Sequence, residues 1–141
     1  MPYPWEQAAR YVGPDPAEGW ANKTRASFAV VDGDDAVVGS VALVRMNPEI
    51  AVTEVGYWVG PWARDRGIAR RAAAEATRWA LENLGFARVE LRAAVENTAS
   101  RRVAEHLGFT LEGVMRSGVP GRSGRFDVAL YSRLASDSPV S

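Results

Sequence analysis

The residues best suited to chemistry lie together in Val59-Gly60-Pro61-Trp62-Ala63-Arg64-Asp65-Arg66-Gly67-Ile68-Ala69. A strand-like run stops at Gly60-Pro61, a short loop follows, and an apolar helical period begins at about Gly67. A helix start presents backbone N–H groups without partners and the positive end of the helix dipole. Gly67 lets an anion approach the backbone closely, and Ala69 leaves the first turn unobstructed. Arg64, Arg66, Arg70 and Arg71 add positive charge at the same end. That combination suits a pyrophosphate. It is not a Walker loop, because no Gly-Lys-Ser/Thr follows, nor a G-x-G-x-x-G dinucleotide fingerprint. The same residues would also serve as a solvated, arginine-rich helix start whose glycine only makes the turn.

Composition removes several other chemistries. The 141 residues include no cysteine and a single histidine, His106. Disulfides, thiolate nucleophiles, Cys-ligated zinc and iron–sulfur clusters are ruled out. A histidine-based metal site or a Ser–His triad is hard to build, so no metal is expected. Seventeen basic and seventeen acidic side chains cancel. No general attraction to nucleic acid or to an anionic membrane is expected, and any anion site must be local. With 47% apolar and 24% charged residues, the chain is expected to fold as one domain over residues 1–134, followed by a polar tail over 135–141. No apolar run approaches the roughly 20 residues of a membrane span. The first residues lack the basic and apolar regions of a signal peptide. A soluble, cytoplasmic protein is expected.

The elements that must position the loop follow from periodicity. Short helices are predicted over residues 5–12 and 17–23, parted by Gly13-Pro14-Asp15-Pro16. Strands are predicted over residues 28–31, 37–44 and 53–59, the first two joined by the turn Asp32-Gly33-Asp34-Asp35. Ile68, Ala69, Ala72, Ala73, Ala76, Trp79, Ala80 and Leu84 then recur at helical spacing and stop at Gly85. Val89, Leu91, Ala93 and Val95 alternate with Glu90 and Arg92, a strand signature. Asn97 can cap a helix that ends at Gly108. Strands over 109–115 and 126–134 flank a loop expected to be flexible, Ser117-Gly118-Val119-Pro120-Gly121-Arg122-Ser123-Gly124. The order predicts an α/β fold: an antiparallel meander, a parallel crossover and helices covering a mixed sheet.

Several of these segments carry a family resemblance. Arg64-Asp65-Arg66-Gly67-Ile68-Ala69 resembles the Gln/Arg-x-x-Gly-x-Gly/Ala loop of the GNAT acyltransferases. Glu54-Val55-Gly56-Tyr57-Trp58-Val59 resembles the Gly-Tyr-Trp strand of their RimJ/RimL-type protein N-acetyltransferase branch. Glu96-Asn97-Thr98-Ala99-Ser100, closing at Gly108-Phe109, is similar to that branch's Glu-Asn-x-x-Ser…Gly-Phe segment. Leu111-Glu112-Gly113 and residues 127–134 match its closing strands. The resemblance covers residues 28–134.

It implies a GNAT fold in which the strand ending at Val59 splays from the strand around residues 89–95. The open edge at Trp58 and Val59 would bond the pantetheine arm of acetyl-CoA. The pyrophosphate would sit on N–H groups of Arg66, Gly67, Ile68 and Ala69, beside Arg64. Asn97 and Ser100 would face the pantetheine and the thioester, Asn97 also serving as a cap. Acetyl transfer by direct attack of an amine needs a base, a polarising donor and a proton for the thiolate. Glu54 is the candidate base, or else an exposed strand carboxylate. The Val59 N–H, or a neighbour's, is the candidate polarising donor. Many members carry a tyrosine four residues before the Gly-Phe; here that position is Ala104. Ser100 is the nearest replacement and Tyr131 the second. His106 is expected at the surface. Tyr57 and Trp58 are expected on opposite faces of the sheet, with one of them in the core. Trp62 would line the groove or pack. Asp127 would orient the amine or bond nearby backbone.

Members of this branch usually begin with a strand and a helix before the aligned segment, which here would precede Pro4. The resemblance therefore implies a sheet lacking its usual first strand and an open apolar edge near residues 28–31, and a homodimer is expected with its contact near the N-terminal helices or this edge. The expected function is acetyl transfer from acetyl-CoA to a protein or peptide N-terminal amine. The alternatives are acetylation of a small amine, such as an antibiotic or polyamine, or a non-catalytic acyl-CoA-binding module with an incomplete acceptor site.

Overall fold

Alternating apolar residues along the middle of the chain assemble into one mixed sheet. The computed structural model describes residues 25–64, 66–121 and 124–137. The helices predicted over residues 5–12 and 17–23, and the end of the polar tail, lie outside these. Among the described residues the sheet has six strands: β1 (Ala26–Val31), β2 (Val37–Asn47), β3 (Val52–Val59), β4 (Arg88–Ala94), β5 (Thr110–Gly121) and β6 (Gly124–Leu134). Their spatial order is β1-β2-β3-β4-β6-β5. The first three form the predicted antiparallel meander. Asp32 makes its first turn, its Oδ1 accepting from the N–H groups of Asp34 and Ala36.

Helix α1 (Ile68–Arg78) carries the parallel step from β3 to β4, and helix α2 (Thr98–His106) the step from β4 to β5. Both steps advance in the same direction through the sheet. The right-handed rule therefore puts both helices on one face, where they pack against each other. The expected apolar stripe of α1 is buried at Ile68, Ala72, Ala73, Ala76 and Ala80. Its alanines let the helix lie close over β2 and β3. Beyond Arg78 the helix widens into a π turn, with the Leu84 N–H reaching the Trp79 carbonyl. The Trp79 ring meets Phe28 edge-on, 5.4 Å between centroids. Val89, Leu91 and Ala93 are buried beneath the helices, while Arg88, Glu90 and Arg92 project from the opposite face of β4.

One expectation changes. Ser117 to Gly121 is not part of a flexible loop but strand at the far end of a hairpin, with Val119 opposite Phe126 and Gly121 opposite Gly124. A bulge between Met115 and Val119 absorbs the irregular sequence. Ser117 sits there at φ 52°, and its N–H donates to Asp127 Oδ1 at 2.8 Å. β5 has a strand neighbour on one side only, so Pro120 breaks no second ladder. Among the described residues β1 stands at the edge of the sheet, as expected; its Ala29, Val30 and Val31 are buried, and the exposed apolar side chains at the opposite edge are Leu111, Val114, Val119 and Phe126.

Candidate active site

β3 and β4 pair only from Val52–Arg88 to Glu54–Glu90 and then part. Which backbone groups this opens follows from one bond. The Gly60 N–H reaches the Val38 carbonyl at 2.8 Å, and the antiparallel register runs unbroken from there to Val44–Glu54. Hydrogen-bonded and outward-facing pairs alternate along such a ladder. The N–H and C=O groups of Val55, Tyr57 and Val59 therefore face the gap. Those of Trp58 pair with β2, so Trp58 borders the cleft without offering its backbone to the gap. The open edge begins at the vertex formed by Glu54 and Glu90 and ends at the loop before α1.

At that end stands the helix start. Gly67 caps α1 in a left-handed conformation, φ 72° and ψ 14°, which glycine adopts without strain. The first helical bond is Arg71 N–H to the Gly67 carbonyl. The N–H groups of Ile68, Ala69 and Arg70 thus have no carbonyl in their own helix to bond. Among the described residues no side chain caps them, and no acidic residue lies in the first turn. The arginines shape the loop: Arg64 Nε donates to the Val59 carbonyl at 3.4 Å, Arg66 to the Trp62 carbonyl at 3.3 Å, and Arg71 to the Arg66 carbonyl at 3.1 Å. These groups offer an anion a positive potential, with no competing carboxylate among the described residues.

The opposite wall comes from α2. Asn97 caps the helix, its Oδ1 accepting from the Ser100 N–H at 3.1 Å. Ser100 Oγ meets the Tyr57 hydroxyl at 3.0 Å. Together with Trp58, Val59, Ala63, Arg64, Ile68, Ala69 and Ala99, these residues line a cleft of about 360 Å³, within the usual size of a small-molecule site. Trp58 and Trp62 form an exposed aromatic corner, 6.0 Å between centroids at 71°.

Of the residues singled out in the sequence, Trp58, Val59, Arg64, Ile68, Ala69, Asn97 and Ser100 meet in this cleft. Gly67 and Arg66 stand at its rim. Glu54 lies at the vertex, and alternation turns its side chain to the face opposite the helices. There its Oε1 is 3.4 Å from Arg45 and 3.6 Å from Arg92, and it makes no hydrogen bond among the described residues. Burial raises the Glu54 pKa above the ordinary carboxylate value; the two guanidiniums pull it back down and Glu90 adds to the rise. Tyr131 is buried, and its hydroxyl is held by Arg101 Nε at 3.1 Å, away from the cleft lining. His106 is exposed, as expected. Asp127 bonds backbone, though across the hairpin rather than within its turn.

Tyr57 is the site residue that motif reading passed over. Its signal was present: two positions beyond Val55, it shares the helix-facing side of β3. Arg45 and Arg92, which flank Glu54, carried no comparable signal because their approach depends on strand register.

Comparison with known proteins agrees with this geometry. Residues 1–110 match the acetyltransferase (GNAT) domain. A putative ribosomal N-acetyltransferase of Bacillus subtilis, YdaF, is 33% identical over 101 residues, 72% of this chain and 55% of that protein. The ribosomal-protein-serine acetyltransferase of Escherichia coli is 26% identical over 77% of this chain and 61% of its own length. The chain spans 55% to 64% of the length of the curated relatives it matches. A crystal structure of a probable acetyltransferase superposes with a TM-score of 0.81 at 30% identity, over 86% of this chain and 68% of that one. Mycobacterium smegmatis RimJ, in complex with CoA-disulfide, does so at 0.82 and 24%, over 89% and 60%, which is a likeness of fold. With its splayed strands, its open β3 edge and its uncapped helix start, the chain belongs to the GNAT acetyltransferase family.

Proposed function

We propose that this chain transfers the acetyl group of acetyl-CoA to a primary amine, in the first place the α-amine of a protein or peptide N-terminus. It would do so in the cytoplasm, as one domain over residues 1–134 with the polar tail beyond. One observation carries the proposal: a continuous open strand edge runs from a helix start with unpartnered N–H groups to a half-buried carboxylate. The N–H groups at Gly67, Ile68 and Ala69 would hold the pyrophosphate, with Arg64 and Arg66 beside it. The edge at Val59 and Tyr57, walled by Trp58 and Asn97, would bond the pantetheine amides. A gap-facing N–H, at Val59 or Tyr57, would polarise the thioester carbonyl from a fixed position. Glu54 would take the proton of the attacking amine, reached from the face opposite the helices, and its unbonded buried Oε1 supports that role. Ser100 would supply the proton for the leaving thiolate.

Two relatives named as ribosomal N-acetyltransferases support a protein terminus as acceptor. The experiment is release of free thiol from acetyl-CoA against peptides beginning with Ser, Ala or Thr, alongside spermidine and an aminoglycoside. Turnover is expected with the peptides. Turnover confined to spermidine or the aminoglycoside would move the acceptor to that class. Binding of acetyl-CoA with no thiol release against any amine would make the chain a binding module.

A homodimer belongs to the same proposal. The exposed hairpin edge at Leu111, Val114, Val119 and Phe126 combines apolar side chains with the open backbone of β5, which a second copy can satisfy about a two-fold axis. Light scattering at low micromolar concentration should give twice the 15.3 kDa chain mass, and Val119→Asp should lower it. A monomer at that concentration rejects the dimer.

A further inference from the structure

Two hydroxyls meet in the cleft, that of Tyr57 from β3 and that of Ser100 from the first turn of α2, 3.0 Å apart. The phenol is the stronger acid of the pair, with an ordinary pKa of about 10, so it donates and the serine oxygen accepts. Ser100 then keeps its own proton for another acceptor, and no described residue takes it. A helical serine often spends that proton on the carbonyl four residues back; the bond Ser100 Oγ makes among the described residues is the one it accepts from Tyr57. The serine is further held by its N–H bond to Asn97. Burial raises the Tyr57 pKa, opposed by the Ser100 contact, so the phenol stays protonated at neutral pH.

We propose that Tyr57 orients the Ser100 hydroxyl toward the thioester sulfur and restores the proton that Ser100 gives up there. This rests on the acetyl-transfer role of the cleft. As the amine nitrogen bonds to the acetyl carbon, the C–S bond breaks and its electron pair stays on sulfur. Ser100 gives its proton to that sulfur and takes the Tyr57 proton in return. Tyr57 is reprotonated from solvent, and the proton lost by the amine leaves through Glu54, so the protons balance. Tyr57 touches Ser100 rather than sulfur and is a positioning residue. Ser100 takes the role left empty at Ala104, and Tyr57 supports it from the strand.

The test uses coenzyme A and needs no acceptor amine. The thiol of bound coenzyme A is titrated by the 13C shift of its sulfur-bearing carbon. A donor aimed at sulfur favours the thiolate, so the bound thiol should titrate about one pH unit below free coenzyme A. Ser100→Ala should remove the part due to the hydroxyl, and Ser100→Thr should keep it. Tyr57→Phe retains the ring; it should remove about half of the shift while leaving coenzyme A affinity within about threefold, and it should add nothing in a Ser100→Ala background. Arg64, the charged side chain lining the cleft, acts on wild type and variants alike. Identical titrations in wild type and Tyr57→Phe overturn the inference and leave the acetyl-transfer role standing. Failure of coenzyme A to bind the wild type overturns both.

Discussion

Gly67→Glu is expected to abolish the rise in Tm that acetyl-CoA gives the wild-type protein. At 100 times its Kd, a ligand of the folded state adds about 2.7 kcal/mol, roughly 10 °C for a domain of this size. The glycine sits where the first unpartnered N–H groups of α1 converge. Among the described residues a β-carbon there would meet nothing closer than Arg70 Nη2 at 3.8 Å, so the first atom of the side chain has room. Its carboxylate would take the pyrophosphate's place on the helix dipole and repel what remains. A loss of at least about 100-fold in affinity is expected from replacing attraction by repulsion at such a site. The left-handed backbone adds about 1–2 kcal/mol of strain for any residue with a β-carbon. Gly67→Asn, which tolerates that conformation and carries no charge, separates the two effects. It should keep the shift within a few degrees. A folded Gly67→Glu protein that keeps the full shift would place the pyrophosphate elsewhere.

Glu54→Gln is expected to lower turnover about 100-fold at neutral pH, in line with the contribution of a positioned base, with acetyl-CoA affinity nearly unchanged. The defect should shrink above pH 8, because an α-amine with a pKa of about 8 then needs no base. A base must be ionised to act. Wild-type turnover should therefore fall as pH drops through the Glu54 pKa, and burial places that acid limb above the range of an exposed carboxylate. The sign can be checked independently. Arg45 pulls the Glu54 pKa down and is largely exposed, so Arg45→Ala should move the acid limb to higher pH without unfolding the protein. Equal loss at every pH in Glu54→Gln would show that the carboxylate supports structure or binding instead.

Much of the fold was legible because it rests on local patterns. A period of two along residues 89–95 identifies a strand, and a period near 3.6 from Ile68 onward identifies a helix, wherever those segments end up. The Asn97 cap, the Asp32 turn and the Gly67 helix start are short-range hydrogen-bonding and φ/ψ requirements, satisfied within a few residues. Composition misled at Ser117 to Gly121. Glycine, proline and serine there signal a loop only if no partner strand exists, and β6 supplies one on a single side.

The sequence by itself determined the element order from β1 onward, the glycine-led helix start and the residue types of the site. Only the tertiary structure decided which of them meet. Tyr57 and Ser100 are 43 positions apart, and their contact depends on how α2 lies over the sheet. Glu54 gains Arg45 from β2 and Arg92 from β4 through two strand registers, one antiparallel and one parallel. Alternation tells which face a side chain takes, but a shift of register by two residues would keep every face and break every one of these pairs. The registers follow from packing the whole core at once, and no stretch of the chain carries that information alone.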